Sequence, residues 1–193
     1  MKKLTCISFM FAAALAQSAW ADAVVEHKPL DMKYDSIATD VRPAAMAHTC
    51  ALKIIPVVDE RQNKDTLGVN ITSPLLSGDA AAWATAGLQN LSDFGFRVTK
   101  PDAADGQAAI TLTPKIIRAY TWQVGMKLFG TVVLKMDYTR PDGKVESRTY
   151  RSSGDKTNMW GADSEYVTTL NYALNNLLRK VATDLDKECG LKA

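Results

Sequence analysis

Histidine and cysteine are scarce in this chain: 193 residues hold two of the first and three of the second. Both histidines, His27 and His48, fall in a stretch with no hydrophobic period. A Ser-His-Asp or Cys-His system needs an imidazole fixed by a rigid scaffold, so these two argue against it. The chain also lacks G-x-S-x-G, H-E-x-x-H, P-loop and G-x-G-x-x-G patterns, and so the sequence marks of the commonest hydrolases, zinc peptidases and nucleotide-binding enzymes. It has no excess of one charge either. Without Lys2 and Lys3, basic and acidic residues balance at 21 each. A neutral domain has no overall electrostatic footprint for nucleic acid or an anionic membrane. No apolar run reaches the roughly 20 residues that span a bilayer.

What the N-terminus does have is an export leader. Lys2 and Lys3 precede an apolar stretch over 7–16, and Ala19-Trp20-Ala21 fits the small-x-small pattern of a cleavage site. Cleavage is expected between Ala21 and Asp22, giving a periplasmic protein with no integral membrane segment. Lipid attachment needs a cysteine directly after the apolar stretch. Cys6 precedes it, so the mature chain is expected to carry no lipid. Cys50 and Cys189 then remain, an even pair in an oxidising compartment, and a disulfide between them is expected.

Three parts follow: a leader over 1–21, an extended arm over 22–49 and one domain over 50–193. The arm holds Pro29, Pro43 and scattered charges. The domain opens on Leu52, Ile54, Ile55, Val57 and Val58, a near-continuous apolar strand interrupted by Pro56 and covered on both faces. After a polar turn over 59–65, a second short strand is expected over 67–72. Ser77 or Asp79 can cap a helix carrying Ala80, Trp83, Ala84, Gly87, Leu91 and Phe94, which Gly95 ends. A strand follows at Phe96 and Val98.

Period-two alternation puts Ile110, Leu112, Ile116, Tyr120 and Trp122 on one face of the next strand, and Val132, Leu134, Met136 and Tyr138 on one face of another. Arg140-Pro141-Asp142-Gly143-Lys144 is a turn by composition. The returning strand over 145–151 shows Glu146 and Arg148 outward. Tyr166, Leu170, Ala173, Leu174, Leu177, Val181 and Leu185 form the apolar stripe of a last helix, with Asn171, Asn175, Asn176, Arg179, Lys180 and Thr183 elsewhere. These elements predict an α+β two-layer sandwich: a mostly antiparallel sheet covered by two amphipathic helices.

Candidate sites are few. Asp59 and Arg61 share a face if the strand continues, and can grip a ligand or simply pair. Asp102, Asp105 and Gly106 have neither the spacing nor the terminal glutamate of a calcium loop. No cofactor or metal is expected. Trp122, Met126 and Phe129 in a hairpin, with Met159 and Trp160 before the last helix, are residue types common at interfaces and are candidates for partner binding.

Val57-Val58-Asp59-Glu60-Arg61 followed by Leu67-Gly68 resembles the opening of the YajG-type lipoprotein family. So do the helix running into Gly95-Phe96, the hairpin over 120–135 and the last helix with Val181-Ala182-Thr183-Asp184. The resemblance covers about residues 50–187 and implies an envelope location and an α+β domain, with no established reaction. Auxiliary lipoproteins of ABC transport systems are broadly similar and imply a partner-binding role. This chain departs from the family in lacking the lipid-bearing cysteine.

The leading expectation is a non-enzymatic partner-binding or accessory module of the envelope, with an unknown envelope protein or a second copy as partner. The alternative is a small-molecule-binding or hydrolytic enzyme using Asp59, Arg61 and nearby carboxylates. The intact mass of exported protein should match a chain starting at Asp22; retention of residues 1–21 would contradict the leader.

Overall fold

The computed structural model describes residues 28–36, 50–70, 73–99, 110–159 and 161–190. The leader, its cleavage point, both histidines, Trp160 and the Asp102, Asp105 and Gly106 group lie outside these residues.

The sheet is organised around one long strand. β6 (Ile110–Val124) pairs antiparallel with β7 (Lys127–Thr139) along its whole length, and β7 pairs likewise with β8 (Val145–Thr157). The opposite edge of β6 is lined in turn by three short strands parallel to it. These are β1 (Ala51–Ile54), β2 (Val58–Asp59) and β3 (Thr66–Asn70). Beyond them, β4 (Ser73–Leu76) joins β3 antiparallel and β5 (Arg97–Thr99) joins β1 parallel. The fold is α+β, but the eight-stranded sheet is mixed rather than mostly antiparallel. Its long ladders are antiparallel, because short loops, two residues between β6 and β7 and five between β7 and β8, can join them. Its parallel ladders are short.

Proline explains the first break. Pro56 has no N–H to give a ladder, so the apolar run divides into β1 and β2. Ile55 still donates to the Leu112 carbonyl at 2.9 Å, and Val57 N–H turns to Thr85 Oγ1 at 2.9 Å. β2 occupies Asp59, where a turn was expected, and β4 is a strand the sequence did not announce.

Two helices share one face of the sheet. α1 (Ala80–Gln89) starts at Asp79, whose carboxylate accepts from Ala82 N at 2.8 Å. A 3-10 turn over Asn90–Phe94 continues it, and Gly95 ends it at φ 91°. α2 (Asp163–Gly190) lies across β6, β7 and β8, and its whole expected stripe, from Tyr166 to Leu185, is buried. The two halves of α2's polar surface differ, however. Asn171 and Asn175 are buried, not solvated. Asn171 accepts from Trp83 Nε1 at 2.7 Å and donates to the Lys33 carbonyl at 3.1 Å. Asn175 donates to the Asp35 carbonyl and accepts from the Tyr34 hydroxyl. Residues 28–36 are thereby strapped along α2, with Leu30 buried and its N–H on the Leu76 carbonyl.

A helix backbone rests on the sheet where Gly130 and Gly154 pair across β7 and β8. A Cβ at Gly154 would lie 2.4 Å from Tyr172 Cβ and 2.7 Å from Ala173 N; one at Gly130 would lie 2.7 Å from the Thr169 carbonyl oxygen. On the far side of β8, two backbone carbonyls accept from α2 side chains: Ser153 from Asn176 Nδ2 and Arg151 from Lys180 Nζ. Such covering blunts a long edge strand against pairing with another chain.

Two facing assignments are corrected. Glu146 and Arg148 point to the helix side, where Arg148 Nη2 lies 2.5 Å from Glu188 Oε1 and Arg140 Nη2 lies 2.6 Å from Glu188 Oε2. Tyr120 and Trp122 do not share the face of Ile110, Leu112 and Ile116. The register of β6 against β7 shifts between Ile116 and Arg118, a β-bulge that sends Ile116 and Ala119 inward and leaves Tyr120 and Trp122 on the outer face.

Cys50 and Cys189 are joined, with Cα atoms 5.7 Å apart and a sequence separation of 139. The bridge fastens the end of α2 to the residue before β1. In the chain-entropy picture a loop of this length contributes up to about 5 kcal/mol.

The glycine contact gives a direct test. Gly154→Ala forces the α2 backbone off the sheet and is expected to cost about 1–3 kcal/mol, read as a lower urea midpoint with an unchanged slope.

Candidate interaction face

The face of the sheet away from the helices is read row by row from the ladder register. One row is Trp122, Phe129 and Asp155; the next is Tyr120, Thr131 and Ser153; then Arg118, Val133 and Arg151. Trp122 and Phe129 stack with ring centres 5.4 Å apart, and Tyr120 lies 6.0 Å from Trp122. Tyr120 remains 42% exposed. Trp122 and Phe129 are thus strand residues in register, not loop residues as expected. The loop is only Gly125 and Met126, with Gly125 at φ 57°, the backbone sign that tight hairpin turns need.

Met126 and Met159 come together at this end, since Asn158 N donates to the Met126 carbonyl at 2.7 Å. Both are strongly exposed. Of the candidates named from the sequence, the fold brings Trp122, Met126, Phe129 and Met159 to one end of the molecule. Sequence reasoning missed Tyr120 as an outer residue, because alternation alone carries no sign of the bulge.

Asp59 and Arg61 pair. Arg61 Nη2 meets Asp59 Oδ2 at 2.8 Å, Nε reaches both carboxylate oxygens, and Nη2 also donates to Ser77 Oγ and the Lys64 carbonyl. The Arg61 side chain is only 3% exposed, and its Nη1 is buried without a partner. Burial pushes the Asp59 carboxyl up, but hydrogen bonds from the Arg61 side chain and backbone outweigh it and hold Asp59 below its usual range. The pair pins the β2–β3 loop. Beside it opens a shallow concavity of about 590 Å³, lined by Glu60, Gln62, Asn63, Ile117, Arg118 and Tyr120 among others.

A second polar cluster sits on the helix side, near the disulfide. Arg148 lies 5.1 Å from the Tyr138 ring centre, Tyr138 and Tyr150 share a hydrogen bond at 2.7 Å, and Tyr150 donates to Asp184. Burial raises the pKa of both tyrosines, so neither is a ready base. Among the described residues, no group of three or more His, Cys, Asp and Glu could hold a metal, and no helix is long and apolar enough to cross a membrane.

No protein-family model matches the chain, and no characterised protein matches it in sequence. Solved structures do match in shape. A Xanthomonas campestris protein of the DUF330 family aligns with TM-score 0.52 at 12% identity, over 77% of this chain and 95% of that one. At that identity the likeness establishes a shared fold. A hypothetical protein from Chlamydia trachomatis aligns with TM-score 0.47 at 10% identity, over 72% and 97%. A minor lipoprotein from Acinetobacter baumannii aligns with TM-score 0.43 at 8% identity, over 72% and 93%.

Asp59→Asn leaves a buried guanidinium without its counter-charge and is expected to cost about 3–5 kcal/mol. The lowered pKa sets the sign with pH. Asp59's contribution is complete above its unfolded value of about 4 and is lost as pH falls through the lower folded value. Urea titrations from about pH 3 to pH 7 should therefore show a smaller acid loss in Asp59→Asn than in the wild type.

Proposed function

We propose that this chain is an accessory module of the cell envelope that docks on another envelope component through the outer face of its sheet. The observation that carries this reading is the Tyr120–Trp122–Phe129 stack on a face that neither helix covers. Half-buried rings in contact with one another on an ordered strand are already fixed, so burying them further against a partner costs little side-chain entropy. The leader over 1–21, cleaved before Asp22, supports a periplasmic place of work. The YajG-type resemblance supports the same setting. On this reading the domain over 50–193 does the docking and catalyses nothing. The hydrolytic alternative has less support, because both Asp59 oxygens already accept from Arg61 and offer no base to a substrate.

A photoreactive amino acid at position 122 tests the reading in intact cells. Position 183, on the exposed side of α2, serves as the control. Position 122 is expected to yield a discrete adduct with protein, lipid or glycan, and position 183 none. Equal patterns from both positions would contradict docking through this face.

A further inference from the structure

On the outer face the hairpin end is the more apolar: Val124, Met126 and Met159 are 61%, 71% and 64% exposed there, with the Lys127–Asp155 pair beside them, while Ile117, Val58 and Val145 are exposed further back. The rows behind it hold the aromatic rings of Trp122, Phe129 and Tyr120. Behind these come Arg118 with Arg151, flanking Val133, and then Lys115 beside Lys135. Lys115 is paired with Glu60 at 2.7 Å. Arg118, Lys135 and Arg151 are exposed and have no acidic partner among the described residues. Of the acids on this face, Asp155 pairs with Lys127 at 2.9 Å, and Asp137, one row further back, accepts from Ser147 and keeps its charge. The balance of charge over residues 22–193 therefore conceals a local excess of positive charge. Glu188 and Asp184, which balance part of it in the count, lie against Arg140 and Arg148 on the helix side.

We propose, building on the docking face assigned above, that its occupant is an anionic phospholipid leaflet, with the β6–β7 hairpin end seated deepest. Apolar side chains, then Trp and Tyr rings, then cations is the order a protein meets on passing from acyl chains through the interface to lipid phosphates. The gradient spans about 25 Å at roughly 3.3 Å per residue. Interfacial insertion reaches only about 5–10 Å, so the face lies tilted along the surface rather than upright in it.

Two observations favour a leaflet over other occupants. A peptide adding a strand beside Arg151 would need the β8 edge, where Asn176 and Lys180 already take two carbonyls. A second copy related by a two-fold axis along the strands would set like cations against one another, and one related by an axis across the strands would set cations on the apolar hairpin end.

The test uses disulfide-bonded chain from Asp22 to Ala193 and co-sedimentation with vesicles of phosphatidylglycerol mixed with phosphatidylethanolamine, or of phosphatidylcholine alone. Binding is expected to the first and not the second, and to weaken as salt rises. Reversing three cations, Arg118→Glu with Lys135→Glu and Arg151→Glu, should lower partitioning by on the order of a hundredfold with thermal unfolding unchanged. The corresponding Gln variant gives the same reading should the reversed one fail to fold. Met126→Asp with Met159→Asp should also weaken binding. Wild-type binding by the charge variants or the methionine variant overturns the proposal, as does equal affinity for both vesicles or binding to neither. In those cases, a persisting protein adduct at position 122 would leave the docking reading standing while removing the lipid. Loss of that adduct as well would remove both.

Discussion

One extra residue in β6 governs both faces of this domain. The bulge at Ile117 lets Ile116 and Ala119 point inward although they are three apart. Thr121 then follows Ala119 to the helix side, where its hydroxyl donates to the Phe129 carbonyl and meets Thr169 Oγ1 at 3.2 Å. These are small side chains, and they sit where α2 comes closest, beside Gly130 and Gly154. An unbroken alternation would have driven the rings of Tyr120 and Trp122 into that space, which holds no room for them. The bulge therefore thins the inner surface under the helix and places the aromatic side chains outside in the same stroke.

α2 is the second organiser, and it works through polar as well as apolar atoms. Its stripe closes the core, while Asn171 and Asn175 hold the strap over 30–36 and Asn176 and Lys180 cover the β8 edge. Glu188 receives Arg140 and Arg148 near its C-terminal end. A helix fastened by so many side chains has its rotation fixed, so substitutions at these contacts are felt.

Much of this fold was legible in the amino-acid order. The α2 stripe, the inner face of β7, the turn at Pro141 to Gly143 and the Asp79 cap are local patterns with local causes. The Cys50–Cys189 pairing followed from there being only two cysteines after the leader. What escaped reading depends on distant partners. Glu146 and Arg148 look like edge residues until Glu188, 40 residues beyond Arg148, closes over them. Asn171 and Asn175 look solvated until residues 33–35 pack on them. The register that lines up Arg118, Lys135 and Arg151 is set by the bulge, and no composition signal marks it. The Asp59–Arg61 pair was legible as a pair, but not the donation to Ser77 and Lys64 that makes it a loop clamp.

The disulfide changes how the domain bears load. Cys189 stands in the last turn of α2, and Cys50 immediately precedes β1, which lies between β5 and β6 in the sheet. A pull on the C-terminus cannot peel α2 away turn by turn, because the tension passes through the sulfurs into β1. There it meets two parallel ladders that must be sheared together instead of unzipped one bond at a time. The covalent link thus turns the weakest direction of a terminal helix into one of the stiffer directions of the sheet.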